Sequence, residues 1–180
     1  MRRAFFNSFY LIRPKRQDSE RRNSHKNEEV IQYLFFYGGI NMEKWFGAAG
    51  ICLNDNAELL MVLQGKPEEK KTWSIPSGGK EHEETFEECC IREIKEETGY
   101  SVGIVEEIKI KKRTYEHLNI SAEAHYFLVK IVGGKRNLQD PDNLIYDIAW
   151  KTLDEIQTLE LTFPEDRDFL INYIKEGIPS

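Results

Sequence analysis

The sequence has no run of eighteen apolar residues, so no segment of it has the length and composition of a membrane-spanning helix. Cysteine is scarce: Cys52, Cys89 and Cys90, two of them adjacent, make no disulfide framework and read as buried reduced thiols of a cytoplasmic protein. The four histidines, His25, His82, His117 and His125, follow no metal-ligand spacing, and His125 reads as structural. Positive charge is short where most of the chain lies. Residues 1–41 carry eight Lys/Arg against four Asp/Glu, which leaves seventeen against twenty-seven in residues 42–180. A body that acidic is a poor general binder of nucleic acid, and phosphates approach it only with the help of cations.

Proline and glycine are also missing from Glu84 to Thr98. Most residues there are helix formers, and Gly99 stands where a helix would stop. Phe86, Cys90 and Ile94 recur every four residues and mark a buried stripe. Glu93, Glu96 and Glu97 are spaced i, i+3 and i+4, which brings three carboxylates to one flank. No basic residue is spaced to neutralise all three. A divalent cation resolves that repulsion, and hard oxygen donors select Mg²⁺ or Mn²⁺. The plain alternative is a solvated acidic helix face.

The same stretch carries a longer pattern. Gly78 is followed after five residues by Glu84, and then come Arg92-Glu93-Ile94-x-Glu96-Glu97-x-Gly99. This resembles the Nudix box, and the chain resembles the Nudix hydrolase (MutT-like) family over roughly residues 42–175. Tyr100 departs from the pattern, which usually has an aliphatic residue there. The resemblance implies an α/β (α+β) fold, an α/β/α sandwich with a mixed sheet between helices. It implies a pyrophosphohydrolase that cleaves a phosphoanhydride bond in a nucleoside diphosphate linked to a further group, using Mg²⁺ or Mn²⁺. Glu96 and Glu97 are then metal ligands and Glu93 a ligand or the general base. The main-chain carbonyl of Ser77 or Gly78 joins the metal shell. Glu84 and Arg92 brace loop and helix through a charge-assisted pair, Arg92 counting with the catalytic set and Gly78, Glu84 and Gly99 as supports. A further acidic ligand is expected from outside the box: Asp147 first, then Asp142 and Glu116, each with the reading of a surface carboxylate beside it.

Along the chain, residues 1–41 do not read as part of the domain. Phe5 to Ile12 is aromatic-rich, Arg13 to Glu29 is charged, and Val30 to Tyr37 is apolar again. Arg2-Arg3 before a short apolar stretch suggests a targeting peptide, but Asn7 and Ser8 interrupt it and no small-residue cleavage site follows. Gly38-Gly39-Ile40-Asn41-Met42 fits translation of a bacterial ribosome-binding site, with Met42 as the start and residues 1–41 as read-through. The domain is then 42–180. Within it, strands are expected at Trp45 to Leu53, Glu58 to Gln64, Val102 to Tyr115, Ile120 to Val132 and Leu144 to Trp150. Helices are expected at Leu153 to Leu159 and after Phe163-Pro164, where Phe169, Leu170, Tyr173 and Ile174 face inward.

Substrate identity is less legible. Lys109, Lys111, Lys112 and Arg113 lie along one expected strand and meet either distal phosphates or solvent. Arg113, Tyr115 and Arg167 are the candidate substrate contacts, the last near the start of the closing helix. A small-molecule nucleotide is the expected partner, with a homodimer as a candidate assembly. Two other classes remain: a nucleotide-sensing module that does not cleave, and a structural partner that docks through its acidic helix.

Overall fold

The computed structural model describes residues 42–116, 119–138 and 144–176. The expected extension 1–41, Asp142 and His117 lie outside them. The described elements are β1 (Glu43–Cys52), β2 (Leu59–Gln64), β3 (Thr72–Ser74), β4 (Ser77–Gly79), α1 (Phe86–Thr98), β5 (Tyr100–Tyr115), β6 (Ile120–Gly134), β7 (Ile145–Lys151), α2 (Leu153–Thr158), a 3-10 turn (Pro164–Asp166) and α3 (Arg167–Glu176). None of these helices is long and apolar enough to cross a membrane.

The strands form two sheets rather than one. A four-stranded sheet runs β4-β1-β6-β5 and a three-stranded antiparallel sheet runs β3-β2-β7. Trp73 to Gly79 leads the chain into the box. Here it makes one short strand for each sheet, β3 pairing Trp73 with Leu63 and β4 pairing Gly78 with Ala48. That switch is what places the glycines of β4 against α1.

Chain contacts divide the molecule into two compact units. The larger, Phe46–Lys111 with the chain from Ala124 onward, holds both hydrophobic clusters and all the described α-helices. Because side chains alternate along a strand, β1, β2 and β6 each supply two layers. Ala48, Cys52, Leu60, Val62, Phe127 and Val129 pack with Cys89, Cys90 and Ile94 of α1. Ala49, Ile51, Leu59, Met61, Tyr126 and Leu128 pack with Ile156 of α2 and Leu170 of α3, with Phe169, Tyr173 and Ile174 partly buried against them. Helices thus cover opposite layers, an α+β sandwich. In the smaller unit, the described parts are the start of β1, the end of β5 and the start of β6. There the Glu43 amide donates to the Asn119 carbonyl at 2.8 Å and Lys112 pairs with Glu123 at 2.9 Å.

Candidate active site

Helix α1 begins at Phe86, two residues after Glu84, in the stretch free of proline and glycine. Thr85 is its N-cap: the Glu88 amide donates to Thr85 Oγ1 at 3.2 Å and the Thr85 amide to Glu88 Oε2 at 2.7 Å. This reciprocal capping box satisfies two amides that helix geometry leaves without partners. Its signal, Thr85-x-x-Glu88, is in the sequence and places the start at Phe86. At the other end Gly99 has φ 80°, a left-handed cap whose amide donates to the Lys95 carbonyl at 3.0 Å. Beneath the first turn the His125 ring stacks on Phe86, centroids 3.6 Å apart, and its Nδ1 lies 2.7 Å from Glu107 Oε2. Nothing in the local sequence points to that stack.

The fixed ends aim the acidic flank at β4. Glu93 is buried and lies under Gly78, where an added Cβ would come within 2.0 Å of its carboxyl carbon. Only glycine leaves that space. Glu97, also buried, accepts the Ser77 amide at 3.0 Å. Glu96 is the most exposed of the three, with 37% of its side chain accessible. Arg92 ties the group together. Its Nε and Nη2 donate to Glu84 Oε2 and Oε1 at 2.9 and 2.6 Å, and Nη2 also to the Gly79 carbonyl at 2.9 Å. Its Nη1 turns the other way, to Glu93 at 2.6 Å and Glu96 at 3.4 Å. Glu84 further accepts the Glu81 amide at 2.7 Å. The sequence reading placed Arg92 against Glu84; the reach to Glu93, Glu96 and the Gly79 carbonyl is additional.

Electrostatics separates these carboxyls. Burial pushes Glu93 up to about 7, against the pull of Arg92, with the like charges of Glu96 and Glu84 adding to the rise. Burial raises Glu84 too, but the bonds from Arg92 and the Glu81 amide outweigh it and leave Glu84 below the usual range. Arg92 is pushed further up, chiefly by its bonds to Glu84. Burial lifts the Cys90 thiol to about 12 and Cys52 to about 11, so both are inert thiols of the core.

Three anionic oxygen donors within five residues, beside main-chain carbonyls of β4, are the chemistry of a hard divalent site. As arranged, however, no group of three or more His, Cys, Asp or Glu side chains among the described residues could hold a metal ion. In this arrangement the Arg92 guanidinium lies with Glu93 and Glu96, while Glu97 accepts from the Ser77 amide.

The remaining candidates come from β5 and its end, from β7 and from the start of α3. Asp147 lies on β7, where its Oδ1 accepts Arg136 at 2.7 Å and the Ile148 amide at 2.8 Å. Arg167 donates to the Ile156 carbonyl, and to that of Leu159 at 2.7 Å, which closes the end of α2. Those donors serve the fold. Arg113 and Tyr115 lie in the smaller unit, with the guanidinium 5.1 Å from the ring centroid and Tyr115 buried; Glu116 is exposed there. Lys111 pairs with Asp166 at 2.8 Å and Glu165 at 3.2 Å, and Lys109 sits 4.1 Å from the Phe169 ring centroid. Both lysines are therefore engaged by the closing segment.

Comparison with known proteins agrees with the box. The NUDIX domain family model matches residues 44–173. The chain is 34% identical over 89 residues to a putative 8-oxo-dGTP diphosphatase of Bacillus subtilis, covering 49% of this chain and 55% of that protein. It is 28% identical over 145 residues to putative nudix hydrolase 1 of Caenorhabditis elegans, covering 77% of this chain and 36% of that one. It thus spans about a third to about half the length of these curated relatives. Among solved structures, a NUDIX hydrolase from Nitrosomonas europaea superposes with a TM-score of 0.65 at 22% identity, over 75% of this chain and 90% of that one. At that identity the likeness speaks for the fold.

Proposed function

Because the chain belongs to the NUDIX domain family, we propose that it is a Mg²⁺-dependent hydrolase of the phosphoanhydride bond in a nucleoside diphosphate linked to a further group. The observation that carries this reading is the complete carboxylate set of α1, Glu93, Glu96 and Glu97, held against the glycine strand β4 by a helix capped at both ends. Mn²⁺ is the natural substitute, and Glu93, Glu96 and Glu97 with a carbonyl of Ser77 or Gly78 would hold the ion. When bound, the ion neutralises charge on phosphate oxygens and lowers the pKa of a bound water. The chain's own residues do the rest. Glu93, with a pKa near neutrality before any ion binds, is a ligand or takes the proton of the attacking water. Glu84 anchors Arg92, and the Ser77 amide orients Glu97. The buried thiols support a cytoplasmic setting.

The relative named as an 8-oxo-dGTP diphosphatase puts nucleoside triphosphates first in a substrate panel. ADP-ribose, dinucleoside polyphosphates and nucleotide sugars complete it. A phosphate-release screen of this panel with Mg²⁺ tests the proposal: turnover on at least one class is expected, and silence from folded protein across all of them overturns it. The competing reading is a module that binds nucleotide without cleaving it. Saturable nucleotide binding without turnover in the same panel identifies that case.

A further inference from the structure

We infer that Arg92 is the internal counter-cation of the carboxylate cluster: its Nη1 holds Glu93 and Glu96 until a divalent ion takes them over, so Arg92 sets the cation affinity of the site. This rests on the metal-dependent reading of the same cluster. The guanidinium has two separately anchored ends. Nε and Nη2 are fixed by both oxygens of Glu84 and by the Gly79 carbonyl, at 2.6 to 2.9 Å. Nη1 alone faces Glu93 at 2.6 Å and Glu96 at 3.4 Å. The second end can be given up without unhooking the first, because the Glu84 pair is bidentate and planar and needs nothing from Nη1.

A purely bracing arginine would need only the Glu84 arm. The contacts of Nη1 bring together two of the three carboxylates that a cation requires, and they lie where Glu93 is almost withdrawn from water. A guanidinium does not lose its proton in a protein, so the competition persists at every working pH. Nor does the positive charge leave when the ion arrives, since Glu84 and Gly79 keep the guanidinium beside the cluster. Arg92 therefore acts against the cation twice, as a rival for oxygen and as a like charge. It is a positioning residue, acting through Glu93 and Glu96.

The two roles give opposite signs for one substitution. Loss of a brace loosens the loop and weakens metal binding; loss of a rival strengthens it. Calorimetric titration of the full chain with Mn²⁺, wild type against Arg92→Gln, reads the sign directly. The expected result is a Kd about three- to tenfold lower in the variant, the size of one partly screened charge contact. Its metal-free melting temperature should fall while the rise on adding Mn²⁺ grows. Equal or weaker binding by folded Arg92→Gln overturns the inference and leaves the metal-dependent reading intact. A folded wild type that takes up no Mn²⁺ overturns both. Should the variant fail to fold, the wild-type guanidinium resonances decide. On saturation with diamagnetic Mg²⁺ the Nη1 signal should shift while Nε, held by Glu84, stays; an unchanged Nη1 signal overturns the inference.

Discussion

Glu93 concentrates the tension of the site in one carboxyl. Burial raises its pKa from the ordinary 4.5 to about 7, so the metal-free folded protein holds this proton more tightly than the unfolded chain does. The stability it contributes is fully present below pH 4.5 and is lost as pH rises through about 7, an effect of roughly 3 kcal/mol. Glu84 runs the other way: its lowered pKa gives stability present above the ordinary carboxylate value and lost as pH falls. Of these two carboxyls, Glu93 is the one that contributes slope between about pH 5 and about pH 8. Urea midpoints measured in chelator across that window should fall for the wild type, and Glu93→Gln should remove most of the fall. Gly78 sets the same carboxyl from the other side. In Gly78→Ala the new Cβ meets the carboxyl carbon at 2.0 Å and its oxygens at 2.2 and 2.3 Å, so Glu93 must move. Overpacking of this kind costs about 1–3 kcal/mol, whereas a displaced catalytic carboxyl costs on the order of 10²-fold in kcat. Melting curves and steady-state kinetics on one preparation check that kcat suffers more than the fold.

Helix α1 is the element that turns those residues into a site. Its direction rests on two caps, and the capping box at Thr85 is the more exposed. Thr85→Ala should lower stability by about 1 kcal/mol, read as a shift of the urea midpoint at constant slope. Much of this element is legible in the sequence because helix signals are local: the absent prolines, the apolar period at Phe86, Cys90 and Ile94, and Gly99. Cys90 and Ile94 are fully buried as that period requires. What escapes is whatever depends on a partner far along the chain. The Gly79 carbonyl on Arg92, the His125 ring under Phe86 and the Ser77 amide on Glu97 join residues thirteen to thirty-nine positions apart. Arg167 shows the converse. Its position near the closing helix suggests substrate contact; two of its nitrogens also donate to the Ile156 and Leu159 carbonyls at the end of α2, partners that lie in another element.

At the scale of the molecule, the α+β class follows from the order of apolar runs, while the division of the strands into two sheets does not. A strand's period reveals that both its faces are buried; it cannot say which neighbour it pairs with. Trp73 to Gly79 illustrates this, since three residues on either side of Ile75-Pro76 go to different sheets. The family match begins at residue 44 and β1 at Glu43, so a chain starting at Met42 holds every described element. The melting temperature and Mg²⁺-dependent turnover of residues 42–180 should equal those of 1–180 within error; a drop in either shows that residues 1–41 contribute to the domain. The proposed role of the α1 carboxylates is to hold the cation that hydrolysis needs. It is tested most directly by the Mg²⁺ dependence of turnover in Glu97→Gln beside the wild type, on whichever substrate class the panel reveals. The expected result is a folded variant needing more Mg²⁺ for half-maximal rate and losing on the order of 10²-fold or more in kcat. An unchanged Mg²⁺ requirement with unchanged kcat would contradict it.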